Sequence, residues 1–190
     1  MGRVWSSHAP RPLTSFDPRS PLTLTVYLVG MSTPPSTRAQ SEGAVLALVS
    51  AGEPAGFGRL LERLAAALQS GFPHYTGVYF YWLKGDAMLE LVAYHGRPTE
   101  HERIPVGQGI CGRAAREGRT VVVDDVNADP AYLACSLETR SEIVVPVVRD
   151  GRVLGEIDID SDVPAAFTAG DREFLEKLAG LIAGKASHGE

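Results

Sequence analysis

The chain carries two cysteines in 190 residues, Cys111 and Cys135. That is too few for a disulfide framework. It suits a reducing compartment, where a thiol is either an inert small hydrophobe or a working group. Positive charge is also scarce. Lys and Arg number 18 against 23 Asp and Glu, the net charge is −5, and the basic residues form no run. Nucleic acid and anionic membrane are therefore not expected as partners. Long apolar runs are missing too. Residues 22–31 are apolar but too short to span a bilayer, their threonines weaken a signal-peptide reading, and no small-residue cleavage pattern stands out. What remains is ordinary for one soluble globular domain with an extension: 44% hydrophobic and 22% charged residues, in a chain long enough for a substantial core.

Six of the thirteen prolines fall in the first forty residues: Pro10, Pro12, Pro18, Pro21, Pro34 and Pro35. Residues 1–40 are read as a poorly ordered Pro-rich extension, with Met31 an alternative start, and residues 41–190 as the folded domain. Residues 42–50 suit a short helix, broken by Gly52, Pro54 and Gly56. Phe57, Leu60, Leu61, Leu64 and Leu68 recur at helical spacing in a second helix that Gly71 and Pro73 end. Residues 76–83 and 88–95 are strands joined by Lys84-Gly85-Asp86, and Tyr75, Tyr79, Tyr81 and Trp82 concentrate aromatic surface there. Residues 120–123 form another strand. Thr168 and Asp171 make a T-x-x-D capping box before a helix whose buried stripe is Phe174, Leu175, Leu178, Leu181 and Ile182. Helices, antiparallel strands with a helix inserted, then a helix make an α+β domain: an antiparallel sheet packed by N- and C-terminal helices.

Residues 144–148 and 152–159 are rich in β-branched residues and read as a hairpin around Asp150-Gly151. A two-residue loop pairs Arg149 with Arg152 and mixes charge with apolar groups on each face. A three-residue loop with a bulge at Gly151 pairs Val148 with Arg152 instead. It puts Ile143, Val145, Val147, Val153, Ile157 and Ile159 on one face. Glu142 then faces Asp158 on the other, with Asp160 two residues on and Glu156 nearby. Since a one-residue slip exchanges the faces, the second register is expected. Carboxylates so close repel unless a cation or a proton sits among them.

Cys111 lies among Gly107, Gly109 and Gly112, near the N-terminus of a short helix over residues 113–117 that Gly118 closes. A helix N-terminus favours thiolate through its dipole and unpaired amides. The glycine spacing is not a dinucleotide motif. Cys135 lies on a loop just before the hairpin. Two thiols and three carboxylates in this stretch suggest redox chemistry with acid assistance.

Together these patterns resemble a GAF domain, and more narrowly the free methionine-(R)-sulfoxide reductases built on that fold. The matching text is GVY from Gly77, RIPVGQGICG from Arg103, DDV from Asp124, ACSLETRSEIVVP from Ala134 and GEIDIDS from Gly155. The likeness runs from about residue 42 to about residue 185. The resemblance implies that Cys135 attacks the substrate and Cys111 resolves the oxidised enzyme. It implies that Glu142, Asp158 and Asp160 handle the substrate amine and the sulfoxide oxygen, and that Tyr79 lines the pocket. Tyr75 stands where some members carry tryptophan, Ser136 where an acid often follows the cysteine, and His101 near the place of a third cysteine. Cys111 is then the one internal resolving thiol.

The chemistry fits these residues. A thiolate attacks a sulfoxide sulfur when a carboxylic acid protonates the departing oxygen. The sulfenic acid left behind condenses with a second thiol, and a dithiol such as thioredoxin restores both. No metal or organic cofactor is needed. The expected protein is a cytoplasmic oxidoreductase of oxidative-stress defence, acting on free L-methionine (R)-S-oxide through a redox-active disulfide; a homodimer is compatible with this. The alternative is a non-catalytic GAF sensor module that binds a small ligand. The absence of an output domain or long coiled-coil linker counts against signalling in cis.

Overall fold

The computed structural model describes residues 37–129 and 138–186. The stretch 1–36, with Met31, and the segment 130–137, with Cys135, fall outside them.

Helix α1, Arg38–Ala51, starts on Thr37. Its side chain accepts from the Gln40 amide while the Gln40 side chain caps the Thr37 amide. This T-x-x-Q box is a start signal. It carries the domain back into the last residues assigned to the extension, and the helix begins before the expected residue 42. Gly52, at φ +72°, ends it. Helix α2, Phe57–Gly71, buries Leu60, Leu61, Leu64 and Leu68, as the spacing requires. Strands β1, Gly77–Lys84, and β2, Met88–Gly96, pair antiparallel. A short strand β3, Arg103–Pro105, adds to the β2 edge, an element too brief to leave a period in the sequence. Helix α3, Gly109–Glu117, then leads to β4, Val121–Val123, a 3-10 turn at Val126–Ala128, β5, Ser141–Arg149, β6, Arg152–Ser161, and α4, Ala169–Lys185. The six strands run in the order β3-β2-β1-β6-β5-β4, every pair antiparallel.

The sheet has two dissimilar faces. Val78, Phe80, Trp82, Ile143, Val145, Val147, Ile157 and Ile159 pack against α1, α2 and α4. Tyr79, Tyr81, Leu89, Ile104 and Val144 pack with Ile110, Cys111, Ala114 and Ala115 of α3 on the other. Leu181, expected in the buried stripe of α4, is 39% exposed. Among the described residues no helix is long and apolar enough to cross a membrane.

The β5–β6 register corrects the expectation while keeping its consequence. The loop is the two-residue one: Arg149 pairs with Arg152, and Asp150 and Gly151 take φ +52° and +75°. The extra residue sits further along β6. Val148 pairs with Val153 but Val147 with Gly155, so Leu154 is the bulge. The shift brings Glu142 opposite Asp160, not Asp158, and places Val144 opposite Asp158. The two registers differ by an even number of residues beyond the bulge, so the faces hold. Only Val153, on the turn side of the bulge, changes face and packs with the α3 cluster.

One buried carboxylate ties the helical layer together. Asp171 Oδ2 accepts from the Thr168 amide at 2.8 Å and its hydroxyl at 2.6 Å, completing the expected capping box. Asp171 Oδ1 accepts from Tyr75 Oη at 2.8 Å and Arg38 at 2.8 Å, with His74 Nε2 at 3.2 Å. Burial alone would raise its pKa, but these bonds outweigh it and hold the carboxyl well below the usual range. A depressed carboxylate stabilises the fold above its unfolded pKa of about 3.9 and loses that contribution as pH falls. Asp171→Asn should therefore lower stability by about 2 kcal/mol at neutral pH. It should also flatten the loss of thermal stability on acidification below about pH 5, measured by circular dichroism melts against wild type. An unchanged acid limb would remove Asp171 from this role.

Candidate active site

Strand alternation brings the acids together. Glu142 on β5 and Glu156, Asp158 and Asp160 on β6 all project to the face that α3 covers, and none is more than 2% exposed. The neighbouring strand β1 sets Tyr79 opposite Asp158 and Tyr81 opposite Glu156. Their hydroxyls donate to the carbonyls of Arg97 at 2.9 Å and His101 at 2.8 Å.

Helix α3 delivers the thiol. Gly107 and Gly109, at φ +92° and +68°, turn the chain into the helix. A Cβ on Gly112 would stand 2.5 Å from the Pro105 carbonyl oxygen and 2.8 Å from the Gly107 nitrogen, so only glycine lets the first turn pack on the loop before it. Cys111 is the third residue after the N-cap Gln108, at the helix start as expected, and is 4% exposed. Its sulfur is directed into the acids. The thiol lies 3.3 Å from Asp158 Oδ2 and 3.9 Å from Glu142 Oε1.

Burial dominates the electrostatics. It raises the pKa of Glu142 well above the ordinary carboxylate range, helped by Asp158, Asp160 and Glu156 and opposed by Arg113. Burial likewise raises Glu156 and Asp158, and in both the Cys111 thiol acts against it. Asp160 is pushed up to about 7 by burial, against the Thr139 hydroxyl, which donates at 3.2 Å, and Arg97. The nearby cations are engaged elsewhere: Arg113 pairs with Asp129 at 3.0 Å and Arg97 with Asp162 at 2.8 Å. Among the described residues, Asp158 Oδ1, Asp160 Oδ1 and both oxygens of Glu156 have no partner at conventional hydrogen-bond geometry. Protonated carboxyls beside a thiol, with acceptors to spare, can deliver a proton to a leaving oxygen and hold a cationic group.

The structure thus joins Cys111, Glu142, Asp158, Asp160 and Tyr79 in one cluster. Cys135 lies outside the described residues; of the described residues that flank it in sequence, Asp129 accepts from Arg113 of α3 and Thr139 donates to Asp160. Tyr75 is not part of it. That side chain packs on the opposite face, stacked on Phe72 at 4.7 Å and bonded to Asp171. Glu156 and Tyr81 were not singled out as site residues. The period-two signal was present for both, since each is two residues from a chosen one.

A family profile described as GAF domain matches residues 44–185. The free methionine-R-sulfoxide reductase of Saccharomyces cerevisiae is 43% identical over 110 residues, which are 57% of this chain and 61% of that protein. The chain therefore spans less than two-thirds of this curated relative. The X-ray structure of the free methionine-R-sulfoxide reductase from Neisseria meningitidis in complex with its substrate superposes with a TM-score of 0.72 at 34% identity, over 82% of this chain and 92% of that one. The type II enzyme of the same name from Thermoplasma acidophilum gives a TM-score of 0.65 at 38% identity, over 72% and 93%.

Proposed function

The chain belongs to the GAF domain family and, within it, to the free methionine-R-sulfoxide reductases, and we propose that it reduces free methionine-(R)-sulfoxide to methionine by thiol chemistry. The observation that supports this most is the Cys111 thiol set 3.3 Å from Asp158 in a buried group of acids.

The Cys135 thiolate attacks the sulfoxide sulfur, and a carboxyl of the cluster protonates the departing oxygen. The sulfur–oxygen bond breaks as a sulfur–sulfur bond to Cys135 forms; the hydroxide so released adds to the Cys135 sulfur and breaks that sulfur–sulfur bond, so methionine leaves and Cys135 carries a sulfenic acid. Cys111 then condenses with it, forming the disulfide and releasing water. A dithiol of the thioredoxin type reduces the disulfide and returns both thiols. Per cycle, one sulfoxide and one dithiol become one methionine, one disulfide and one water. A free amino acid also brings an ammonium group, for which the remaining carboxylates are natural partners. A cytoplasmic setting, with its reducing thiol pool, agrees with this cycle.

Incubation with each epimer of free methionine sulfoxide and a dithiol tests the reading. Free methionine should appear from the R epimer and not from the S epimer. Release from neither would leave a ligand-binding sensor as the better description. The disulfide has its own expected result. Peptide mapping under non-reducing conditions should show Cys111 joined to Cys135 after one equivalent of substrate, and the link should vanish on reduction. Unpaired thiols or irreversible oxidation alone would rule out this resolving step.

A further inference from the structure

The acids around Cys111 are more numerous and less satisfied than the reductase cycle requires. Its thiol, Glu142 and Asp158 each offer a ligand atom, all within 4.8 Å of one another and all buried. A tetrahedral zinc ion, with about 2.3 Å to sulfur and 2.0–2.2 Å to oxygen, holds sulfur and oxygen ligands about 3.5 Å apart. The measured separations of 3.3 and 3.9 Å bracket that edge. A second observation points the same way. Among the described residues, Asp158 Oδ1 and both oxygens of Glu156 lie in the same fully buried face without a partner at conventional hydrogen-bond geometry, the Cys111 thiol acting on Glu156 from outside that geometry. Unpaired buried carboxylates are costly unless protonated or matched by a cation. The two arginines nearest the cluster are held by Asp129 and Asp162.

We propose that the reduced protein binds one thiophilic divalent cation of the zinc class through Cys111 Sγ, Glu142 and Asp158. Sulfur selects zinc or cobalt over magnesium and calcium, and the carboxylates neutralise the ion. Binding displaces the thiol proton and any proton held by the two carboxyls, which pass to solvent. Where the reductase reading also holds, the ion occupies the resolving thiol and stops recycling, so zinc acts as an inhibitor and not as a cofactor.

Cobalt serves as the probe. Reduced, chelator-treated full-length protein is titrated with Co2+ and followed by absorbance. One equivalent should give a near-ultraviolet thiolate-to-cobalt band with visible tetrahedral bands, and Zn2+ should bleach both. Cys111→Ser should lose the near-ultraviolet band. Cys135→Ser should keep it. Glu142→Gln and Asp158→Asn should weaken cobalt binding by about tenfold or more. Circular dichroism establishes that each variant is folded. No band in wild type overturns the proposal, as does a band that survives Cys111→Ser or disappears in Cys135→Ser. If Cys111→Ser does not fold, Glu142→Gln decides, and unchanged cobalt affinity there overturns it. None of these readings uses catalytic activity, so a failed reductase assay and a failed metal titration remain separate results.

Discussion

Cys135→Ser should abolish reduction of free methionine sulfoxide, leaving only the background rate of the dithiol. A serine hydroxyl has neither the thiolate's nucleophilicity nor a route to a sulfenic acid, so the first chemical step disappears. Cys111→Ser should behave differently. Attack precedes resolution, so one equivalent of methionine per protein should still form in a single turnover. Steady-state turnover driven by thioredoxin should then collapse, while a small dithiol able to reach the Cys135 sulfenic acid should rescue part of it. The serine at 111 keeps a donor facing Asp158, which the thiol approaches at 3.3 Å, so the acid cluster stays in place. Rapid-quench measurement of methionine in both variants separates the roles. Equal loss of the first turnover in the two would mean that the roles are misassigned.

The two cysteines stand out in the sequence because their flanking motifs are local, and their roles remain those the resemblance implies, whereas much of the geometry was not legible. The faces of the β5–β6 hairpin follow from period-two alternation of Ile143, Val145 and Val147 against Glu142 and Val144. The bulge at Leu154 left a weaker sign. Gly155 beside it is packed so closely on Tyr81 and Trp82 that a Cβ there would collide with both, and a glycine inside a strand often marks such a place. Tyr75 could not be placed by alternation. It precedes β1, after the Phe72-Pro73 break, and its side chain follows the partner it finds in Asp171, 96 residues away. The meeting of Cys111 with Asp158 spans 47 residues. No periodicity encodes it, and only packing of α3 across the strands produces it.

Asp158→Asn and Asp160→Asn should each reduce kcat/KM on free methionine-(R)-sulfoxide by ten- to a hundredfold, equivalent to about 1.5–3 kcal/mol for one charge-assisted contact. Each change keeps the side-chain shape and removes one acid and one negative charge. The substrate ammonium then loses a partner, and the departing oxygen loses a candidate proton source. The two positions are not identical. Asp158 holds the Cys111 thiol and Asp160 accepts from Thr139, at the edge of the Cys135 loop, so Asp158→Asn should also slow disulfide formation. Folding should not suffer. Asp158 Oδ1 and Asp160 Oδ1 have no hydrogen-bond partner among the described residues, and Glu142, which feels repulsion from both, is relieved by either substitution. Thermal midpoints should therefore stay level or rise at neutral pH, since the amide replaces a buried carboxyl without leaving an unpaired charge behind. Unfolded Asn variants would make the acids structural. Folded variants with full activity would place the proton source and the ammonium partner elsewhere in the domain.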